Sequence, residues 1–485
     1  MIPPRCRLAI MSGCAGAGAP AAPAEGAYMI TTAWMRRMRC ASAGAVLCLL
    51  AGCMPGGGTD TESGERPGRE PVTIAFHTFG SEEQQAWGRV ISSFEARHPD
   101  IRVKLVNLSE NGDTQEYAKR LDLAAASGEE MDVLMFSEPA MYAQRVALGM
   151  AAPLDEYIRR EGYRVSEEYK VDTQLGGKVY ALPGKFNPWY VLLNKDHLDE
   201  AGLKVPTDWT WDEFMDYAGK LTRPGAGGRY GTYLHGPRGD GWAEFTRLAM
   251  ANQPENPDYL RADGTSNLDS PLFRRSIEIR YRMEKLDRSA TPYIDAIARK
   301  LHYRPEFFSG AASMIVIGSW MNPEIGGTEA FPLKFHVAAA PYPRNQASDP
   351  GGYTIVTTDF MAVAAASKHK EQAYRFIRYY TTEGMLEQGK YIPSWTGVDR
   401  GTLERIIERT AAGSRSPELV DTASLKAVLA GAKAPKLVTP APFQADVYRV
   451  INEEFEKLML DQISLDAMIS NARIRTQKMI DANRK

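Results

Sequence analysis

Side chains able to attack, ligate or titrate are distributed along this chain in a way that narrows its chemistry. All five cysteines, Cys6, Cys14, Cys40, Cys48 and Cys53, fall within the first 53 of 485 residues. Everything after Cys53 therefore lacks a thiol for a disulfide framework, a thiolate metal site or nucleophilic catalysis. The histidines (His77, His98, His197, His235, His302, His336 and His369) never fall at metal-ligand spacing, so no metal or cofactor is expected. GxSxG, HExxH, GxxxxGK[ST] and a GxGxxG after a strand are all absent. Paired carboxylates, which need no short signature, keep glycoside hydrolysis open.

Large aromatics carry the stronger signal. Trp189, Trp242, Trp320 and Trp395, with Phe79 and Phe443, each sit beside Gly, Pro, Ser or Asn at a strand end or in a loop, outside apolar periodicity. An aromatic face with a polar neighbour suits a ligand that has both C–H faces and hydroxyls, as a sugar ring does. With 58 basic and 60 acidic side chains and no long basic run, nucleic acid is not expected as a partner.

The elements that must position these residues alternate. VTIAF (72–76), IRVKLV (101–106) and MDVLMF (131–136) read as strands, separated by helical spacing over 82–97 and 114–127. Such alternation predicts parallel βαβ units and an α/β fold. Residues 189–193 form a further strand, 211–221 a helix, and a mostly helical stretch extends to about 308. Strands return at 314–317, 335–340 and 360–365, followed by helices at 370–380, 445–460 and 464–483.

The first 53 residues read as an address. From Met35, the basic run MRRMR precedes an eleven-residue apolar stretch, CASAGAVLCLL, and then Ala51-Gly52-Cys53. That order is a secretory signal, and its apolar run is too short to span a bilayer as a helix. Leu50-Ala51-Gly52-Cys53 resembles the bacterial lipobox, which implies cleavage before Cys53 and acylation of its thiol; two or more acyl chains hold a protein stably at a membrane. Residues 1–34 fit no part of a signal and read as a mis-called upstream leader, 35–52 as the lipoprotein signal peptide, and 53–71 as lipid anchor and flexible tether with a reach of about 20 to 25 Å. Processing would remove five arginines and Glu25, shifting the net charge from −2 to −6.

Several segments together resemble the family 1 extracellular solute-binding proteins, the carbohydrate receptors of ABC importers related to maltose-type binding proteins. These segments are VTIAFHTFGSEEQQAWGRVISSFEARHPDIRVKLV, MDVLMFSEPAMYAQRVALGMAAPLDEYI, GGKVYALPGKFNPWYVLLNKDHLDEAGLKVPTDWTWDEF, EFFSGAASMIVIGSW and MAVAAASKHKEQAYRFIRYYTTEGMLEQGKYIPSW. The likeness covers about 72–483, and the block from GGKVYALP to TWDEF is its most specific part. It implies a two-lobed periplasmic-binding-protein-like fold of type II, with ligand in a cleft between lobes joined by crossing hinge segments. Lobe 1 would comprise 72–186 plus 357–392, and lobe 2 would comprise 187–356 plus 393–485.

Ligands of open α/β sheets bind at the carboxyl ends of strands, which places Phe79 and Ser81, after the first strand, and Glu138, after MDVLMF, at the cleft edge. The resemblance adds Asn187 and Trp189 at the first crossing and Asp240 and Trp242 in the loop GPRGDGW. It also adds Trp320 of GSW as a sugar-stacking aromatic and Phe443 ahead of VYRVINEEF. Trp395 joins the set from the loop aromatics. Where the family often has Gly-Gly, this chain has Thr357-Thr358-Asp359, so Asp359 is either a hydroxyl-binding carboxylate or a cap. Trp209 and Trp211 are read as packing.

The resulting expectation is a monomeric, lipid-anchored receptor on the extracytoplasmic face of a bacterial, Gram-positive membrane. It would capture a sugar or oligosaccharide by lobe closure and deliver it to permease subunits. The alternatives are a surface-anchored carbohydrate-active enzyme using Glu138 and Asp359 as acid and base, and a sensor of the same fold presenting ligand to a membrane kinase.

Overall fold

In a computed structural model, the described residues are 70–483, apart from 111, 226, 237–244, 256, 262, 436–440 and 442. The signal segment, Cys53, the tether, Asp240 and Trp242 lie outside them. Among the described residues twelve strands occur in this order: β1 Val72–Thr78, β2 Ile101–Asn107, β3 Val133–Phe136, β4 Gln174–Leu175, β5 Lys178–Val179, β6 Ala181–Pro183, β7 Asn187–Asn194, β8 Tyr230–Tyr233, β9 Ala312–Gly318, β10 Val337–Pro341, β11 Val356–Thr357 and β12 Phe360–Val363.

Two five-stranded sheets organise the fold. The first has the order β2-β1-β3-β12-β6, with β1 parallel to β2 and β3, and β12 antiparallel to both β3 and β6. The second has the order β10-β7-β9-β8, with β11 pairing β7. Strands of the first sheet come from residues 72–183 and 360–363, and those of the second from 187–357. β7 is buried along its whole length, which explains its near-continuous apolar run between two layers of helices.

Three chain segments connect the sheets and are tied to one another by backbone hydrogen bonds. The Gly184 amide donates to the Asp359 carbonyl (2.9 Å), the Phe186 amide to Ile392 (2.8 Å) and the Ser394 amide to Gly184 (2.8 Å). β11 pairs Thr357 with Asn187. These crossings form the floor on which the cavity described below rests.

Two expectations need correction. The helix read over 82–97 is broken into Glu82–Gln85 and Trp87–Arg97, because Ala86 adopts a left-handed conformation with φ 50°. Periodicity is blind to such a break, since Trp87, Val90 and Phe94 still fall on one buried face. The stretch read as mostly helical up to 308 contains β8, which runs parallel to β9 in the second sheet. Tyr230–Tyr233 is too short for its alternation to stand out against the helices Trp211–Leu221 and Pro271–Tyr281 on either side.

Helix starts follow local chemistry. Thr210 and Glu213 form a reciprocal capping box at the start of Trp211–Leu221, and Trp209 and Trp211 are buried in the second sheet's core, as expected for packing residues. The helices Gln444–Met459 and Leu465–Asn483 pack together around Val447, Ile451, Phe455, Met468 and Ala472. The first of them also lies against the helix Pro139–Ala147.

Candidate functional site

A cavity of about 480 Å³ opens at the carboxyl ends of β1 and β3, above the crossings. Four groups of residues line it. From the first-sheet side come Phe79, Gln84, Gln85 and Glu138, with Met141, Gln144 and Arg145 of the helix Pro139–Ala147. The crossings supply Lys185, Asn187, Thr357, Asp359 and Tyr391; the second-sheet side supplies Trp189, Tyr303, Arg304, Trp320 and Glu324. Ala445, Tyr448, Arg449 and Asn452 enter from the helix Gln444–Met459.

Trp320 stands immediately beyond β9, half-buried, and packs against residues of three core clusters. Its ring meets Trp189 edge-on, with centroids 5.2 Å apart and planes at 78°. The glycine of GSW has a steric reason: a Cβ on Gly318 would lie 1.9 Å from Cζ3 of Trp320. Only glycine lets this indole fold back over the strand end.

Trp189 differs from the expected loop aromatic. It is 1% exposed, packs against Phe245 in the second sheet's core and borders the cavity as a wall. Its indole N–H is buried without a hydrogen-bond partner among the described residues. Asn187 is also buried, and its carboxamide oxygen accepts from Ser319 Oγ at 3.3 Å, linking the crossing to the turn that carries Trp320.

Charges around the cavity come in compensated pairs. Lys185 Nζ lies 2.7 Å from Asp359 Oδ2 and donates to Gln85 Oε1 at 3.3 Å; both charged side chains are almost completely buried. The ammonium also sits 3.9 Å from the centroid of the Tyr391 ring. Arg304 makes a bidentate pair with Glu324, Nε to Oε2 at 2.6 Å and Nη2 to Oε1 at 2.8 Å. Arg145 is held by Asp122 at 2.9 Å. Paired in this way, these charges add no net charge to the cavity lining. Burial pushes the Tyr391 hydroxyl well above its ordinary range, and that hydroxyl donates to the Gln84 carbonyl at 2.9 Å. His302, next to Tyr303, is lowered to about 4, first by burial and then by Arg304. Among the described residues no cluster of His, Cys, Asp or Glu has the arrangement of a metal site.

Of the residues singled out from the sequence, the structure brings Phe79, Glu138, Asn187, Trp189, Trp320 and Asp359 to this one cavity. Glu138 sits at the cap position before Pro139 but makes no side-chain cap bond. Ser81 is instead a helix cap: its Oγ accepts from the Gln84 amide, and its own amide donates to Gln84 Oε1. Trp395 packs against the first sheet's core and donates from Nε1 to Glu168 Oε1 at 2.9 Å, outside the cavity lining. Phe443 packs against the core of the last two helices, and Tyr448, just over one turn further along, takes the cavity position.

Gln84, Gln85, Lys185, Tyr303, Arg304, Glu324, Tyr391, Tyr448, Arg449 and Asn452 line the cavity without having been singled out. One signal was present for Tyr448 and Asn452. On Gln444–Met459 the buried stripe runs through Val447, Val450, Ile451 and Phe455, and Tyr448 and Asn452 share a different face at i and i+4 spacing. Lys185 and Arg304 gave no such signal, because their partners lie far away in sequence.

Comparison with known proteins agrees with this architecture. The chain is 23% identical to the multiple sugar-binding protein of Streptococcus mutans over 338 residues, covering 66% of this chain and 73% of that one. It is 31% identical over 191 residues to the mannitol-binding protein of Pseudomonas aeruginosa, covering 37% and 40% respectively. Among solved structures, an ABC substrate-binding protein of Listeria monocytogenes in complex with cycloalternan superimposes with a TM-score of 0.68 at 18% identity, covering 85% of this chain and all of that one. Maltose-bound MalE3 of T. maritima superimposes with a TM-score of 0.64 at 19% identity, covering 84% and 100%. These neighbours share the two-lobed periplasmic-binding-protein fold. Residues 80–386, more than half of the chain, match the model of the bacterial extracellular solute-binding proteins, and the chain belongs to that family.

Proposed function

We propose that this protein is the receptor of an ABC importer, capturing an uncharged sugar or oligosaccharide between lobes formed by 72–186 with 357–392 and by 187–356 with 393–485. The observation that carries this reading is the cavity itself. Trp320, Tyr303 and Tyr448 supply apolar faces, while Asn187, Gln84 and two internally neutralised ion pairs supply donors and acceptors. Relatives named for sugar and mannitol binding, and neighbours solved with cycloalternan and maltose, support the same class of ligand.

Closure follows from the lining. Ligand touching both sides favours the closed arrangement by the difference in its affinity for the two states, and by no more than that. The loaded form then docks on membrane permease subunits, with Cys53, once acylated, keeping the receptor at the extracytoplasmic surface. No step alters the ligand.

A thermal-shift panel of mono- and oligosaccharides tests the reading. A sugar at 100 times its Kd stabilises the folded state by about 2.7 kcal/mol. Trp320→Ala is expected to weaken that sugar's binding by about 2 kcal/mol or more, roughly thirtyfold in Kd by calorimetry. A folded protein that no saccharide stabilises would refute the proposal.

A further inference from the structure

We propose that Gln84 and Glu324 form a clasp across the cavity, which tightens as its two sides approach; its effect on sugar release rests on the receptor reading above. Gln84 follows β1 of the first sheet, in the helix Glu82–Gln85. Glu324 follows β9 of the second sheet, at the end of the short helical turn Ser319–Glu324 that also carries Trp320. Both residues border the cavity, and Gln84 Nε2 stands 3.5 Å from Glu324 Oε1 although 240 positions separate them.

Each end of this contact is anchored independently of the other. Gln84 Oε1 accepts from the Ser81 amide at 3.0 Å, and the Gln84 backbone carbonyl accepts from the Tyr391 hydroxyl at 2.9 Å. That leaves the donor end of the carboxamide to face the second sheet. The Glu324 side chain is 6% exposed, and its oxygens accept from Nε and Nη2 of Arg304 at 2.6 and 2.8 Å. A carboxylate oxygen has two lone pairs, so Oε1 takes a second donor without giving up the first.

The length of the contact gives it a direction. Hydrogen bonds to a carboxylate settle at about 2.7 to 2.9 Å, so 3.5 Å is the outer edge of bonding, and approach by less than about 1 Å brings the clasp to full strength. Separation by the same amount abolishes it. Because both groups are already held in place, little side-chain entropy is lost in making the bond. No ligand atom takes part, so the clasp favours the closed arrangement with or without sugar, and ligand adds its own differential affinity to that bias. The competing role for Gln84 is that of a helix-cap residue and nothing more.

Small-angle scattering of the sugar-free protein tests the clasp, together with stopped-flow release of whichever of D-glucose, D-mannitol, maltose and maltotriose binds most tightly. Gln84→Glu keeps the cap, since Ser-x-x-Glu is a capping box, but turns the donor into a carboxylate facing Glu324. It should enlarge the radius of gyration and speed release roughly tenfold or more, the scale of losing a hydrogen bond to a charged group. Adding Glu324→Gln exchanges donor and acceptor while keeping one carboxylate near Arg304, and should restore most of both changes. Ser81→Ala removes the cap hydroxyl but leaves the backbone amide on Gln84 Oε1; it should lower the urea midpoint yet leave the radius unchanged and release within about twofold of wild type. An unchanged radius in Gln84→Glu overturns the clasp even where sugar affinity falls, because Gln84 would then act on the sugar alone. Equal effects from Ser81→Ala, or no recovery in the exchanged pair, overturn it as well. If no saccharide binds wild type, the receptor reading falls, and scattering still decides the clasp. Should Gln84→Glu fail to fold, Gln84→Met, similar in length and without a donor, takes its place.

Discussion

Replacing Gly318 with alanine should damage ligand binding although the new methyl group never touches ligand. The added Cβ would lie 1.9 Å from Cζ3, 2.2 Å from Cε3 and 2.7 Å from Cη2 of Trp320. Carbon pairs settle at about 3.5 to 4.0 Å, so the indole must retreat by roughly 1.5 to 2 Å. Gly318 has φ −87°, which alanine adopts freely, and the perturbation is therefore steric and free of backbone strain. Retreat also disturbs the edge-on contact with Trp189. Overpacking of this kind costs about 1 to 3 kcal/mol of stability. A plate displaced by more than 1 Å should lose about tenfold to a hundredfold in affinity. Urea unfolding measures the first quantity and isothermal titration with a panel sugar the second, with tryptophan emission reporting the altered surroundings of the ring. A variant with wild-type midpoint and wild-type affinity would refute the claim that Gly318 sets the position of Trp320.

Three other perturbations follow from the same geometry. Ala86→Val places a β-branched residue at φ 50° in a buried turn and should destabilise by about 2 kcal/mol in urea unfolding, while weakening sugar binding through the displaced Gln84 and Gln85. Arg280→Met strands Glu284, whose carboxylate accepts from Arg280 Nε and Nη2 in a site where both side chains are at most 1% exposed; a loss of about 3 to 5 kcal/mol is expected in the same assay. Acid should unfold the protein through its histidines. Burial holds His302 at about 4 when folded, against 6.5 when unfolded, so the unfolded state binds more protons as pH falls. Stability is then retained above about pH 6.5 and lost progressively toward pH 4, and His302→Gln should flatten that slope in urea midpoints measured from pH 7 to 4.

Local pattern carried much of the architecture. The runs that became β1, β3, β7 and β9 are apolar enough to name themselves, and MDVLMF followed by Ser-Glu-Pro marks a strand end opening into a helix. Ser81 illustrates the opposite case: Ser-Glu-Glu-Gln is a readable capping box, and the cap uses the hydroxyl that position alone had assigned to ligand. A loop aromatic cannot be told from a packing one by its neighbours, which is why Trp320 and Trp395 read alike although only Trp320 borders the cavity. Lys185 and Asp359 lie 174 positions apart, and Arg304 and Glu324 meet across β9, so neither pair leaves a mark in any local window. The left-handed turn at Ala86 has no compositional cue, because alanine is a strong helix former and signals no break.

The position of β12 has a consequence for biosynthesis. It occupies an interior place between β3 and β6, although it follows β6 by 177 residues in the chain. A nascent chain that has reached Pro183 holds four of the first sheet's five strands but exposes the facing edges of β3 and β6, with no strand to fill the gap. Such an intermediate cannot complete its sheet until Phe360–Val363 emerges, and loop closure over that distance is slow compared with local helix formation. The topology thus keeps the polypeptide unfinished through most of its synthesis, the condition in which a chain is most easily threaded, captured by a chaperone or misassembled through its open edges.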